Sequence, residues 1–189
     1  MTVILSDEEL ISRGPIRPED LLDMYQASRS FLCPLEANIY GLDCCEYTLT
    51  DMDTGNLLFT TASIPNPDDP LDINAGRRLN CRIKPGYLQA RKIKATALYS
   101  IGEIPINEIR LIERFYFRNM FLWGFDFIVG NGVPYDMKSV DLIYRMPKLP
   151  HHLVREMVYA PYATMSDSFY FADGNLVLHR KSRYLFENV

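Results

Sequence analysis

Between residues 92 and 99 the chain alternates, with Ile93, Ala95, Ala97 and Tyr99 set against Lys92, Lys94 and Thr96. A period of two puts the sets on opposite faces of a strand, one buried and one wet. The rhythm recurs at Leu79, Cys81 and Ile83, and again at Val140, Leu142, Tyr144 and Met146. Tyr40 to Thr50 is rich in β-branched and aromatic residues. Asp51-Met52-Asp53-Thr54-Gly55-Asn56 is turn chemistry, and Leu57 to Thr61 returns as the hairpin partner. Phe125, Phe127 and Val129 continue the strand texture, and Gly130-Asn131-Gly132-Val133-Pro134 reads as a turn. Ser168 to Ala172 and Leu176 to Phe186 flank a further turn at Asp173-Gly174-Asn175. The stretch from Ile64 to Gly76, with its prolines and aspartates, reads as a long loop.

Helical spacing occurs in two places. Pro18-Glu19-Asp20 before Leu21 and Leu22 is a helix start, with proline in the first turn and acids at the positive end of the dipole. Leu21, Leu22 and Tyr25 would form its apolar stripe. Leu153, Val154, Met157 and Val158 predict a second short helix near 150–159. Roughly eight or nine strands with closely spaced turns predict an all-β fold, an immunoglobulin-like β-sandwich. Residues 1–30 are then a helical N-terminal arm and 31–189 the sandwich domain.

The strand around 109–117 carries the main chemical clue. Ile109, Leu111, Glu113, Phe115 and Phe117 share one face, so a carboxyl sits within an apolar row. A buried carboxyl must find a hydrogen-bonding partner or shift its pKa and neutralise. Two readings follow: an internal salt bridge to an arginine, or a headgroup anchor inside an apolar pocket. If the interior is hollow, its walls are inward-facing positions: Cys81, Ile93, Ala95, Ala97, Leu111, Phe115, Phe117 and Phe127. The small Ala95 and Ala97 leave room there, although a close-packed sheet would fill it equally well.

The chain has 189 residues, 48% of them hydrophobic, and a net charge of −4. That is about one domain, with enough apolar residues for a core and a lined cavity. The negative charge argues against a nucleic-acid partner, even with 10 Phe and 12 Tyr present. No apolar run reaches the length of a membrane span, so stable membrane insertion is not expected. The acidic beginning of the chain predicts no secretory signal, and Thr2 in place of glycine predicts no N-myristoylation of the chain itself. The four cysteines (Cys33, Cys44, Cys45 and Cys81) are then reduced thiols. His151 and His152 are adjacent rather than a turn apart, and no Cys-x-x-Cys is present, so no metal site is expected. Gly130-Asn131-Gly132 lacks a third glycine, and no Gly-x-Ser-x-Gly elbow occurs. An enzyme is not expected.

Several collinear blocks resemble the uncoordinated-119 family of lipid-binding chaperones, related to the prenyl-binding delta subunit of retinal rod phosphodiesterase. They include Arg17-Pro18-Glu19-Asp20-Leu21-Leu22, Phe31-Leu32-Cys33-Pro34, Asn74-Ala75-Gly76-Arg77, Ile112-Glu113-Arg114, Phe125-Asp126-Phe127 and Ser166-Asp167-Ser168-Phe169-Tyr170-Phe171. The resemblance implies a sandwich that holds an acyl chain between its sheets and needs no cofactor, the acyl chain of the cargo being the ligand. The implied partners are N-myristoylated proteins such as G-protein alpha subunits, and a GTP-bound Arf-like small GTPase that releases the cargo. The implied location is the cytoplasm, with the cilium or flagellum as destination. The family's polar anchors, a glutamate and a tyrosine, fall on Glu113 and Tyr170. A pocket tyrosine of the family falls on Cys81, and the histidine two positions after the glutamate is Phe115. The usual Asn-Lys-Ala-Asp-Tyr ending reads Arg180-Lys181-Ser182-Arg183-Tyr184. A carrier of prenylated cargo and a structural adaptor with a solid core are the competing expectations.

Overall fold

The structure, a computed structural model, describes residues 6–61 and 71–187. Nine strands build two facing sheets: β1 (Asp43–Asp51), β2 (Leu57–Thr60), β3 (Arg78–Ile83), β4 (Lys92–Ser100), β5 (Ile106–Phe117), β6 (Met120–Gly132), β7 (Met137–Arg145), β8 (Thr164–Ala172) and β9 (Asn175–Phe186). One sheet runs β2-β1-β4-β7 and the other β3-β9-β8-β5-β6. All pairings are antiparallel except β3 with β9, which is parallel. This is the expected all-β, immunoglobulin-like sandwich. The hairpin between β1 and β2 closes as its residues dictate. Asp51 accepts from the Asp53 amide at 2.9 Å and the Thr54 hydroxyl at 2.8 Å, and Gly55 takes a φ of 75° that a side chain would resist.

The expected turn at 130–134 falls later. β6 continues through Gly132, and Asp136 N–H bonds the Val133 carbonyl at 3.2 Å in the turn that follows. Gly130, at φ 120°, lies where the β5–β6 register slips, so the glycine marks a bulge rather than a chain reversal. β8 begins four residues before the expected Ser168. Ser166, Asp167 and Ser168 in its first half are polar, and they are buried through internal hydrogen bonds rather than through hydrophobicity. Most of the predicted 64–76 loop lies outside the described residues.

The helix near 150–159 forms as α3 (His151–Tyr159), between β7 and β8. It buries Val154 and Met157 in the sandwich core and leaves His151 and His152 exposed. The arm contains two short helices, α1 (Asp7–Ser12) and α2 (Pro18–Leu22), instead of one. α1 starts at a capping box, with Ser6 N–H bonded to Glu9 at 2.8 Å and Glu9 N–H to the Ser6 hydroxyl at 3.2 Å. Of the predicted stripe only Leu21 is buried, while Leu22 and Tyr25 are exposed. Leu21 and Leu22 are neighbours and point to different sides of this short helix, and Tyr25 lies beyond its end.

Two cores result. The larger lies between the sheets. The smaller lies on the outer face of the five-stranded sheet, where Leu10, Ile16 and Leu21 of the arm pack with Ile112, Phe169, Phe171 and Leu176. Arg114 crosses from β5 to the arm, donating to the Met24 carbonyl at 2.8 Å and stacking 3.8 Å above the Phe121 ring. Gly124 permits this, because a Cβ there would lie 2.7 Å from the Glu113 carbonyl and 3.1 Å from the Arg114 guanidinium.

Candidate functional site

Strand register assembles the site. Glu113 on β5 lies opposite Ser168 on β8, and Ser168 lies opposite Arg180 on β9. A polar row therefore crosses the inner face of the five-stranded sheet. The neighbouring rows are Leu111–Tyr170–Leu178 on one side and Phe115–Ser166–Ser182 on the other, with Leu79 of β3 beside Ser182. Tyr47 and Leu49 of β1 and Phe59 of β2 face these rows, and between them is a cavity of about 70 Å³. Leu49, Phe59, Leu79, Ile83 and Phe115 make its walls apolar, while Glu113, Ser168, Tyr170 and Arg180 give it a polar side.

Glu113 accepts a hydrogen bond from the Ser168 hydroxyl at 3.0 Å. Among the described residues no cation lies within ion-pair distance of it, so the salt-bridge reading does not hold. Burial pushes its pKa up to about 7 against the partial opposition of the Ser168 bond. Near neutrality this carboxyl is therefore poised between acceptor and donor. Arg180 turns Nη1 to the Cys44 carbonyl at 3.1 Å and Nη2 to the Asp43 carboxylate, while its Nε–H is buried with no well-formed hydrogen bond among the described residues. Burial also pushes the thiols of Cys44 and Cys81, both on the cavity wall, up to about 12, which leaves them unreactive thiols.

Of the residues singled out from sequence, Glu113, Tyr170, Cys81 and Phe115 come together around the cavity. Ile93, Ala95, Ala97, Leu111 and Phe117 are buried in the same core but outside the lining. Phe127 is partly buried, 5.9 Å from the Tyr144 ring. The cavity sits under β1 and β2, whereas the small side chains of β4 lie in the filled half of the sandwich. Sequence reading missed Arg180, Tyr184, Ser168 and Tyr47. For Arg180 and Tyr184 the signal was present, since Leu178, Arg180, Ser182 and Tyr184 alternate onto the inner face. Tyr47 was hidden by the irregular pairing between Cys44 and Glu46.

On the opposite face the fold gathers a serine, a histidine and an aspartate that spacing alone did not suggest. Asp167 accepts from the Ser28 amide at 2.8 Å and the Ser28 hydroxyl at 2.9 Å, and His179 Nε2 lies 3.1 Å from it. His179 Nδ1 accepts from the Leu32 amide at 3.0 Å, which assigns the ring proton to Nε2. Neither nitrogen is then free to take a proton from Ser28, and His179 and Asp167 are 0% and 1% exposed. A relay needs the base between nucleophile and acid, using both nitrogens. This cluster instead clasps the arm to the sheet, with Lys181 2.8 Å from Asp167 as its counter-charge. Among the described residues no group of histidine, cysteine or acidic side chains could hold a metal ion.

Two sheets around an apolar-walled cavity with a polar side define a β-sandwich of the ligand-enclosing class. The sequence profile of the family described as "GMP-PDE, delta subunit" matches residues 36–186. The chain is 35% identical over 187 residues to protein unc-119 homolog B-A of Xenopus laevis, covering 95% of this chain and 77% of that one. It is 35% identical over 191 residues to protein unc-119 homolog B of Homo sapiens, covering 96% and 76%. With protein unc-119 of Caenorhabditis elegans it shares 32% identity over 187 residues, covering 97% and 85%. The chain belongs to the unc-119 family within the phosphodiesterase delta-subunit superfamily, a family of lipid-binding carriers.

Proposed function

We propose that this protein carries N-myristoylated proteins through water, with the acyl tail enclosed between the sheets and the first cargo residues held by Glu113 and Tyr170. The observation that carries the reading is the apolar cavity bordered by a half-buried carboxyl with no cationic partner among the described residues. The cavity in this structure is narrow. A water needs about 10–15 Å³ of such space, so 70 Å³ admits a few waters or a short stretch of chain. Entry of an acyl tail requires the aromatic rings of the wall to turn aside or the β1–β2 edge to lift.

Burial supplies the means. Each CH₂ removed from water contributes about 0.8 kcal/mol, so roughly a dozen contribute on the order of 10 kcal/mol before entropic costs. A lone myristoyl chain holds a protein to a membrane only marginally. Extraction therefore needs no ATP, but release needs a switch. A GTP-loaded Arf-like GTPase that binds the narrow form better lowers cargo affinity by linkage. On this reading the protein works in the cytoplasm, delivers to ciliary or flagellar membrane and has no catalytic role.

The test is a titration with a fluorescent myristoyl-glycyl peptide and, beside it, a farnesyl peptide. The myristoyl peptide is expected to bind, and Glu113→Ala to weaken it about tenfold or more, a loss of the size of one charge-assisted hydrogen bond. Unchanged binding in a folded Glu113→Ala variant removes Glu113 from the site, and preference for farnesyl replaces the myristoyl reading with the prenyl one.

A further inference from the structure

Among the described residues lining the cavity, Arg180 is the only cation. Its side chain is 14% exposed, and its one anionic partner, Asp43, is 51% exposed and does not line the cavity. Nη1 and Nη2 are engaged by Cys44 and Asp43, and the Nε–H is buried with no well-formed hydrogen bond among the described residues, although the Tyr170 hydroxyl lies close enough to interact with the guanidinium. An unpaired buried donor costs free energy that a suitably placed acceptor recovers. Glu113, one strand beyond Ser168, does not fill this role, since the two charged side chains form no ion pair.

We propose that the cavity takes free long-chain fatty acids, the carboxylate accepting the Arg180 Nε–H while the hydrocarbon lies along the apolar wall. The proposal rests on the cavity being an acyl site and adds a headgroup to it. A carboxylate is favoured over a neutral amide or ester carbonyl for two reasons. A hydrogen bond between two ionised groups is about twice as strong as one between neutral groups. The anion also supplies a second counter-charge to a guanidinium whose neutralising partner among the described residues, Asp43, faces solvent. Near neutrality the Glu113 carboxyl, with its pKa pushed up to about 7, offers a proton to that headgroup as readily as a repelling charge.

The test measures binding to the whole purified chain by titration calorimetry with sodium laurate, lauramide and a lauroyl-glycyl peptide at pH 7. Laurate is expected to bind about tenfold more tightly than lauramide, the scale of one charge-assisted bond over a neutral one. Arg180→Gln should bring the two within about twofold. Equal affinities for laurate and lauramide in the unaltered protein overturn the proposal, as does a preference that survives in Arg180→Gln. Peptide binding without laurate binding overturns it and leaves the carrier reading standing, and failure of all three ligands overturns both. If Arg180→Gln does not fold, the laurate-to-lauramide ratio of the unaltered protein decides. Arg180→Lys, which keeps the charge but has no Nε–H, should then cut that ratio at least threefold.

Discussion

Glu113 is charged or neutral according to pH within the working range of a cell, and the folded state sets the balance. Its pKa in the fold is about 7 against an ordinary 4.5, so the folded protein binds this proton more tightly than the unfolded chain does. Stability from this group rises as pH falls from about 7 towards 4.5 and levels off below. The difference of about 2.5 units corresponds to roughly 3 kcal/mol. Glu113→Gln should therefore be the more stable protein at pH 8, with the gap closing towards pH 4.5. Urea unfolding across that range checks this, and parallel curves for the two proteins would refute it. His179 works in the opposite sense. Burial holds its pKa below the usual value despite the Asp167 bond, so its contribution is complete above about 6.5 and declines as pH falls further. Removing Asp167 leaves the Ser28 amide without an acceptor and Lys181 without its counter-charge. Asp167→Ala is expected to cost about 3–5 kcal/mol in equilibrium unfolding.

At the scale of elements, the N-terminal arm and the edge of the sandwich behave differently. The arm is held by a small apolar cluster, the Asp167 clasp and the Arg114 bridge, all on the outer face of β5, β8 and β9. Leu21→Ala should cost about 2–4 kcal/mol, because Leu21 is 0% exposed and its neighbours are fixed by the sheet. Hydrogen exchange should then quicken in 6–32 more than in β4, and uniform acceleration throughout would show that arm and sandwich open as one unit. The sheets carried clear signals where one face was wet, as in β4. They misled where a glycine marked a bulge in β6, and where polar residues were buried in β8. Alternation reports burial only as long as buried positions are apolar, and in β8 the side chains of Ser166, Asp167 and Ser168 are satisfied internally instead.

For the whole molecule, the half of the sandwich under β4 and β7 is filled, while the half under β1 and β2 keeps a narrow cavity. Phe115 joins the two, since its ring stacks on Trp123 at 5.0 Å and also lines the cavity beside Tyr184 at 5.8 Å. Trp123 is the one tryptophan of the chain. Any ligand that displaces the Phe115 ring should therefore change tryptophan emission. Titration with an acyl peptide is expected to shift its intensity or maximum saturably, and Phe115→Ala should abolish most of that change while leaving binding measurable by calorimetry. Binding with silent Trp123 emission in the unaltered protein would mean that the cavity opens elsewhere, at the β1–β2 side.

The sequence by itself determined the sandwich, its alternating strands, the short helix after β7 and the inward-facing position of the carboxyl at Glu113, because each follows from local periodicity and turn chemistry. The family resemblance was also there to be read, in blocks spread along the chain. What only the tertiary structure decided is which inward residues surround empty space. Ala95 and Ala97 looked like the source of a cavity, yet the void lies among Tyr47, Phe59 and Tyr184, which are large. Cavities arise from the mismatch between facing sheets and the register that stacks Glu113, Ser168 and Arg180 in one row, and neither is local. The same holds for Ser28, Asp167 and His179, which lie up to 151 residues apart in sequence and meet only once the arm has docked.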